Sequence, residues 1–258
     1  MVDINKSNNP PPLPTVTELN TLADYRLLTE PNRLSAGIAV EWLRHAWGIF
    51  KDNIALWLGA GLLVIILQIG SAYIPIIGGI ISAILSFVCS AGVAYMAHRQ
   101  TTEGDTSIGD LFVAFRHNFK SFVFLYLWLL LITLVLVILL IIIGFATGIN
   151  LDMVKQGDIF GSGILILIAV AILLFIPLSM AVWLAPILIL FHDVKALQAL
   201  KMSFKGCMAN LLPLTVLGLI GMILGVIAVI PFGLGWFVLV PVMMIVSYVA
   251  YRYIYTQI

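Results

Sequence analysis

Apolar residues gather into six runs long enough to cross a bilayer, which takes about 20 helical residues: 54–73, 76–97, 122–146, 164–190, 211–230 and 232–255. Pro75 and Pro231 stand between the members of the first and last pairs, and proline ends a helix just before itself. The middle pair is joined by a longer polar stretch, 147–163. The pattern predicts an all-α polytopic membrane protein of six transmembrane helices, arranged as three hairpins.

Before each hairpin lies a segment that is neither wholly apolar nor a loop. In the first, Ile38, Trp42, Ala46, Ile49 and Phe50 recur at helical spacing, with Glu41, Arg44, Lys51 and Asp52 on the other face. The second carries Leu111, Phe112, Phe115, Phe119 and Phe122 beside Asp110, Arg116 and Lys120. The third has Leu197, Leu200, Phe204 and Met208 with Lys201 and Lys205. Each is expected to be an amphipathic helix lying in the membrane interface, aromatic rings at headgroup level and basic groups near anionic lipid. A spacing recurs: Leu43, Ala46, Phe50-Lys51; Phe112, Phe115, Phe119-Lys120; Leu197, Leu200, Phe204-Lys205. It suggests pseudo-repeats at about 34–97, 106–190 and 193–258. Any amphipathic helix entering a membrane would look similar.

Charge then orients the chain. Twelve of the 13 Lys and Arg residues lie in segments on one side of the predicted spans, and only Lys155 lies on the other. Basic residues accumulate in cytoplasmic segments, so both termini are expected in the cytoplasm. Hydrophobic residues make up 62% of the 258 positions and charged residues 10%, against about a quarter charged in soluble domains. Residues 1–33, rich in proline and asparagine, read as a disordered cytoplasmic tail that could recruit a cytosolic partner. Residues 34–258 form the membrane domain. Cys89 and Cys207 are expected to be free thiols.

Little reaction chemistry is visible. No acidic or basic side chain lies in the middle of a span, where proton relays and ion paths need one. Gln68 and Thr133 are the most polar mid-span residues, and a helix-to-helix hydrogen bond suffices for each. His45, His98, His117 and His192 have no close ligand spacing, so they are expected to be interfacial or solvated. Asp152 and Asp158 read as a polar turn. No nucleophile elbow or phosphate loop is present, so neither enzyme activity, nor a metal, nor a cofactor, nor nucleic-acid binding is expected.

The stretches 42–50 and Ser203-Phe-Lys-Gly-Cys-Met-Ala-Asn210, with Gly233-Leu-Gly235, Pro241 and Tyr248-Val-Ala-Tyr251-Arg252, carry a family resemblance. The chain resembles the YciC-like six-helix bacterial inner-membrane proteins, and the membrane domain fused to some glycerophosphodiester phosphodiesterases. The resemblance implies a bacterial inner membrane and a link to envelope integrity or lipid homeostasis, but no established reaction.

The function expected is therefore non-enzymatic support of the envelope barrier through binding or organising membrane lipid. A transporter or pore for an amphiphile, and a scaffold for a cytosolic partner, stay open. Trp42, Arg44, Trp47, Lys51, Arg116, Lys120, Lys201 and Lys205 are the expected headgroup contacts. Small residues let membrane helices approach closely, so Gly78, Ser82, Ser86 and Ser90 of the second span and Gly221 and Gly225 of the fifth are the expected packing positions. These stripes place spans two and five in the interior and leave span three facing lipid. Kinks are expected at Pro177, Pro186, Pro213 and Pro241.

Overall fold

A computed structural model describes residues 27–75, 77–146 and 162–256. The described chain is nearly all helical: α1 (Ile38–Asp52), α2 (Ile54–Ala72), α3 (Gly78–Thr102), a 3-10 turn (Ile108–Phe112) running into α4 (Val113–Arg116), α5 (Phe119–Ala146), α6 (Ser162–Trp183), α7 (Ala185–His192), α8 (Ala196–Ala209), α9 (Leu211–Val229) and α10 (Trp236–Tyr255). Six stretches are long and apolar enough to cross a membrane: α2, α3, α5, α6 with α7 as one stretch (Ile164–His192), α9 and α10. The polar loop expected at 147–163 and the residues before 27 fall largely outside the described residues, and with them Asp152, Asp158 and Lys155.

The core sits at one end of the bundle, called basal here, where α1, α3, α7, α8 and the last turns of α10 meet. From Tyr248 to Thr256 every residue of the chain is buried, as is every residue from Leu184 to Ile189. Trp42, Ala46 and Phe50 bring the apolar face of α1 onto this core. The interior span is α10, not α9: two-thirds of the apolar window of α10 is buried (67%), against 22% for α9. Expecting span five inside was an error of pattern, because Gly218 faces open space while Gly221 and Gly225 touch only the edge of α10.

Three local devices build the basal core. After the closing helical bond to Arg252, the last three carbonyls of α10 would have no intrahelical partner, yet each is satisfied from the segment before α1. Thr256 N–H donates to the Arg252 carbonyl, Asn32 Nδ2 to Tyr253, Asn32 N–H to Ile254 and Leu28 N–H to Tyr255, at 2.9–3.1 Å. The expected tail boundary therefore moves, since residues 27–33 are bound to the end of the last helix. Asn210 adds a clasp, accepting from Leu34 N–H at 2.9 Å and donating to the Asn32 carbonyl at 2.8 Å.

The second device is a broken span. Pro186 cannot donate, and the helix is interrupted at Leu184 between α6 and α7. The buried Ser203 hydroxyl of α8 enters the gap, accepting from Leu184 N–H at 2.9 Å and donating to the Met180 carbonyl at 2.6 Å. It replaces the missing i to i−4 bond with a bridge to another helix. Pro213 causes no such break, because it lies in the first turn of α9, where its N–H would have no partner anyway.

The third device is a close approach. A side chain at Gly92 would place its Cβ 1.9 Å from the Leu111 carbonyl oxygen, so only glycine lets the 3-10 turn lie against α3. Asp110 caps that turn through Ser107 N–H at 2.8 Å and accepts from Arg99 Nη1 at 2.9 Å. Burial acts to raise the Asp110 pKa, but the Ser107 bonds and the Arg99 charge outweigh it and hold the carboxyl below its ordinary value.

The segments before the three expected hairpins do not share one conformation. The first and third are the single helices α1 and α8. The second is a 3-10 turn and a four-residue helix, broken at Asn118 (φ 60°) before Phe119 opens α5. Phe112, Phe115 and Phe119 thus straddle a bend, although their rings still line up at 6.2 and 5.4 Å.

Candidate lipid-facing site

The eight expected headgroup residues separate into groups. Trp42 is fully buried against the core, and its indole N–H has no acceptor among the described residues. It was misplaced because the apolar face of α1 docks on α10 instead of floating in the interface. Arg44 is exposed and paired with Glu41 at 2.7 Å, and Lys205 is paired with Glu30 at 2.6 Å. Trp47, Lys51, Arg116, Lys120 and Lys201 are exposed. Arg116 and Lys120 flank the Asn118 bend, where the Asn118 amide donates to the Asp193 carboxylate in the α7–α8 turn.

The packing residues also differ among themselves. Gly78 is buried in the α2–α3 turn, where a Cβ would meet the Ser71 carbonyl oxygen at 2.2 Å. Gly225 lies 3.4 Å from the Trp236 ring and Gly221 3.4 Å from Met243, measured from a Cβ built on each. Ser82 donates to the Gln68 side chain, and Ser86 accepts from Gln68 Nε2 at 2.8 Å. Ser86 is nevertheless exposed and Ser90 half-buried. The serine stripe holds the α2–α3 pair through hydrogen bonds at its edge, not through backbone contact along its length.

Between α9 and α10 runs an open groove of about 530 Å³ with an apolar lining. Leu224, Ile227 and Ala228 form one wall and Val238, Leu239 and Val242 the other, while Leu43 and Trp47 of α1 lie at the same groove. The tightness of the α9–α10 turn comes from Gly235, whose Cβ would fall 2.6 Å from Ala228 Cα. Arg44 and Lys51 stand within one helical turn of Trp47 on the same helix. The groove therefore combines an apolar trough with an aromatic side chain, Trp47, at its border.

A polar lattice that sequence reasoning missed holds α10 at the basal end. Three of the four histidines meet tyrosines of that helix: His98 Nδ1 lies 3.2 Å from Tyr248 OH, His192 Nε2 2.5 Å from Tyr251 OH and His45 Nδ1 3.3 Å from Tyr253 OH. These histidines are half-buried partners of the core, not solvated side chains. Arg252, expected near the terminus as one more cytoplasmic charge, is buried and donates to Tyr248 OH at 3.0 Å. Phe191 stacks on Tyr251 at 5.8 Å. The available signal was four tyrosines among the last eight residues of α10, too many for a lipid-facing surface. None of these side chains lines the α9–α10 groove. Among the described residues, no three His, Cys, Asp or Glu side chains come together as metal ligands would.

A family model described as a domain of unknown function, DUF7847, matches residues 39–254. The chain belongs to the DUF7847 family. No curated protein and no solved structure matches it. The DUF7847 match takes in every helix from α1 to α10, so the docked α1, the broken span and the groove all lie within the family's domain. The clasp at residues 27–34 lies ahead of it.

Proposed function

We propose that this DUF7847 protein binds and organises membrane lipid, and that it thereby supports a bacterial inner membrane as a permeability barrier without catalysing a reaction. The observation that carries the reading is the α9–α10 groove: an apolar trough open along two long apolar helices, with Trp47 at its edge and Arg44 and Lys51 within a helical turn of Trp47 on α1. Water has no place there, since a stable buried water needs two to four polar partners. In the proposed arrangement an acyl chain lies between Leu224 and Leu239, and the headgroup meets Trp47 and Lys51. Both termini face the cytoplasm in this arrangement, with Arg116, Lys120 and Lys201 along the anionic leaflet. The three helix pairs act as hairpins, and α1 and α8 lie at interface depth.

Native mass spectrometry of the gently extracted protein tests this reading. The wild type should retain lipid, and Val238→Trp, which fills the groove, should lose most of it while keeping its fold. In cells, deletion should admit more of a normally excluded dye, and Val238→Trp should rescue poorly. Full rescue by a stably inserted Val238→Trp protein, or a lipid-free wild type, would defeat the proposal.

A further inference from the structure

Of the three helix pairs, the first and last are packed on each other far from the basal end, and the middle one is not. α2 meets α10 at Gly61, where a Cβ would fall 2.8 Å from the Pro241 ring. Gly225 and Ala228 of α9 are buried against Trp236 and Gly235 at the start of α10. The α5–α6 hairpin has no comparable contact. The apolar residues of α5 that pack on the core end at Ile132, and those of α6 begin at Ala181. Beyond those points, among the described residues of the two helices, only Gly144 is buried, and a Cβ there would meet Leu167 of α6 at 3.9 Å. The outer part of the hairpin therefore packs on itself.

We infer that residues 133–146 and 164–176 form a movable arm, which swings as one body between its present open position and one closed against Phe87 of α3 and Leu214 of α9.

The base of the arm is pinned. Phe122 and Leu125 of α5 are buried, and the Asn118 amide just before that helix donates to the Asp193 carboxylate. On α6, Ser203 Oγ spans the Met180 carbonyl and the Leu184 N–H. Motion must begin above these ties, and α6 has a weak point there. Pro177 lies inside the helix, offers no N–H to the Leu173 carbonyl and crowds it with its ring. Ser179 Oγ donates to the Ile176 carbonyl at 2.7 Å, a side-chain bond that competes with the helical ladder and favours bending. α5 has no proline, and its 28 residues follow by the gentle curvature open to long helices.

Room for the swing is present. Thr133, Phe175 and Leu178 line an open cleft of about 640 Å³, and Phe87 and Leu214 of the body line it too. In lipid neither position gains from the hydrophobic effect, because acyl chains are as apolar as leucine, and only close packing holds membrane helices together. With no such packing between arm and body, the two positions lie close in free energy. The arm is independent of what the α9–α10 groove holds.

Double electron–electron resonance on the full chain in lipid nanodiscs tests this, in a Cys89→Ala, Cys207→Ala background. Nitroxides at Leu139 and Met222 report arm against body, those at Leu139 and Ile168 the arm alone, and those at Ile66 and Met222 the body alone; all four positions are exposed. The arm–body distances should be about twofold more widely spread than either control, as hinge motion of one rigid body against another requires. Pro177→Ala, which restores the N–H to the ladder, should narrow the arm–body spread and leave both controls unchanged. An arm–body distribution as narrow as the controls would overturn the inference. So would an equally broad distribution within the arm, which would mean that the hairpin does not move as one body. An unchanged spread in Pro177→Ala would remove the pivot on which the swing depends.

Discussion

α5 and α10 both count as membrane spans, yet they are built for opposite surroundings. α5 has a mean hydropathy of 3.4 over its apolar window and none of that window is buried; α10 has only 1.7, and 67% of its window is buried. In water the more apolar helix would be the inner one. In lipid the outside is as apolar as leucine, so hydrophobicity marks the outer surface, and close packing with polar partners marks the interior. The same contrast separates the two ends of the bundle. Tyrosines, histidines, Arg252, Ser203 and Asn210 collect at the basal end, while Leu134, Leu173, Met222 and Val226 stand exposed further along their helices.

The sharpest way to break this comparison is to place one methyl group in each environment. Gly92→Ala should lower the melting temperature in detergent by many degrees, corresponding to about 3 kcal/mol or more, because its Cβ meets backbone that cannot move aside. Gly218→Ala meets open space and should be neutral, or stabilising by up to about 1 kcal/mol through helix propensity. Equal losses would mean that the close approach at Leu111 is not real.

Hydroxyls give the next contrast. Ser203→Ala strands the Leu184 N–H in a buried joint and leaves the Met180 carbonyl only the Cys207 thiol as donor, which should cost about 1–3 kcal/mol. Ser86→Ala leaves Gln68 Nε2 its longer bond to the Ser82 carbonyl at 3.4 Å, and the loss should be about 0.6 kcal/mol, typical of one hydrogen bond between membrane helices. Thermal unfolding of the two variants side by side would sharpen or sink the distinction. Leu134→Ala on the outer face of α5 should behave like Ser86→Ala, since no protein cavity is created there.

The smallest effect concerns pH. Burial holds the His45 imidazole below its ordinary value; the Glu41 charge opposes this and the Arg44 charge adds to it. The fold thus favours neutral His45. Its contribution is fully present above the ordinary imidazole value of about 6.5 and is lost as pH falls through the lower folded value. Melting temperature should therefore decline below about pH 6.5, and His45→Gln should flatten that part of the profile. An unchanged profile in the variant would remove His45–Tyr253 from the docking of α1.

The spans were legible in the sequence because bilayer thickness imposes a length that few other structures share. Predicted starts and ends at 54, 146, 211 and 255 coincide with helix bounds in the structure. The arrangement of those spans was not legible. The small-residue stripe of α3 looked like a packing face, yet its backbone contact is confined to Gly78 in the α2–α3 turn, Gln68 reaches Ser82 and Ser86 from the side, and the other tight contact falls at Gly92, outside the stripe. Trp42 and Trp47 sit five residues apart on one helix and read alike in sequence, but one is buried on α10 and the other borders a groove. Which face of α1 docks depends on α10, some 200 residues later. The hydrogen bonds of Asn32 and Asn210 to distant backbone carry no local signal. The second pre-hairpin segment was mistaken for a helix because 3-10 and α turns share the same apolar spacing over four or five residues.

Site-directed spin labelling in lipid nanodiscs tests the central claim, that protein packs the basal end and lipid packs the rest. Single nitroxides at Leu134, Leu173 and Met222 should relax strongly with oxygen and hardly at all with a water-soluble nickel chelate. Labels at Ala94, Ile187 and Ala250 should be shielded from both. High nickel accessibility at Leu134 or Leu173 would place water where the account places hydrocarbon, and mobile, oxygen-accessible labels at Ile187 and Ala250 would show that the basal core does not exist.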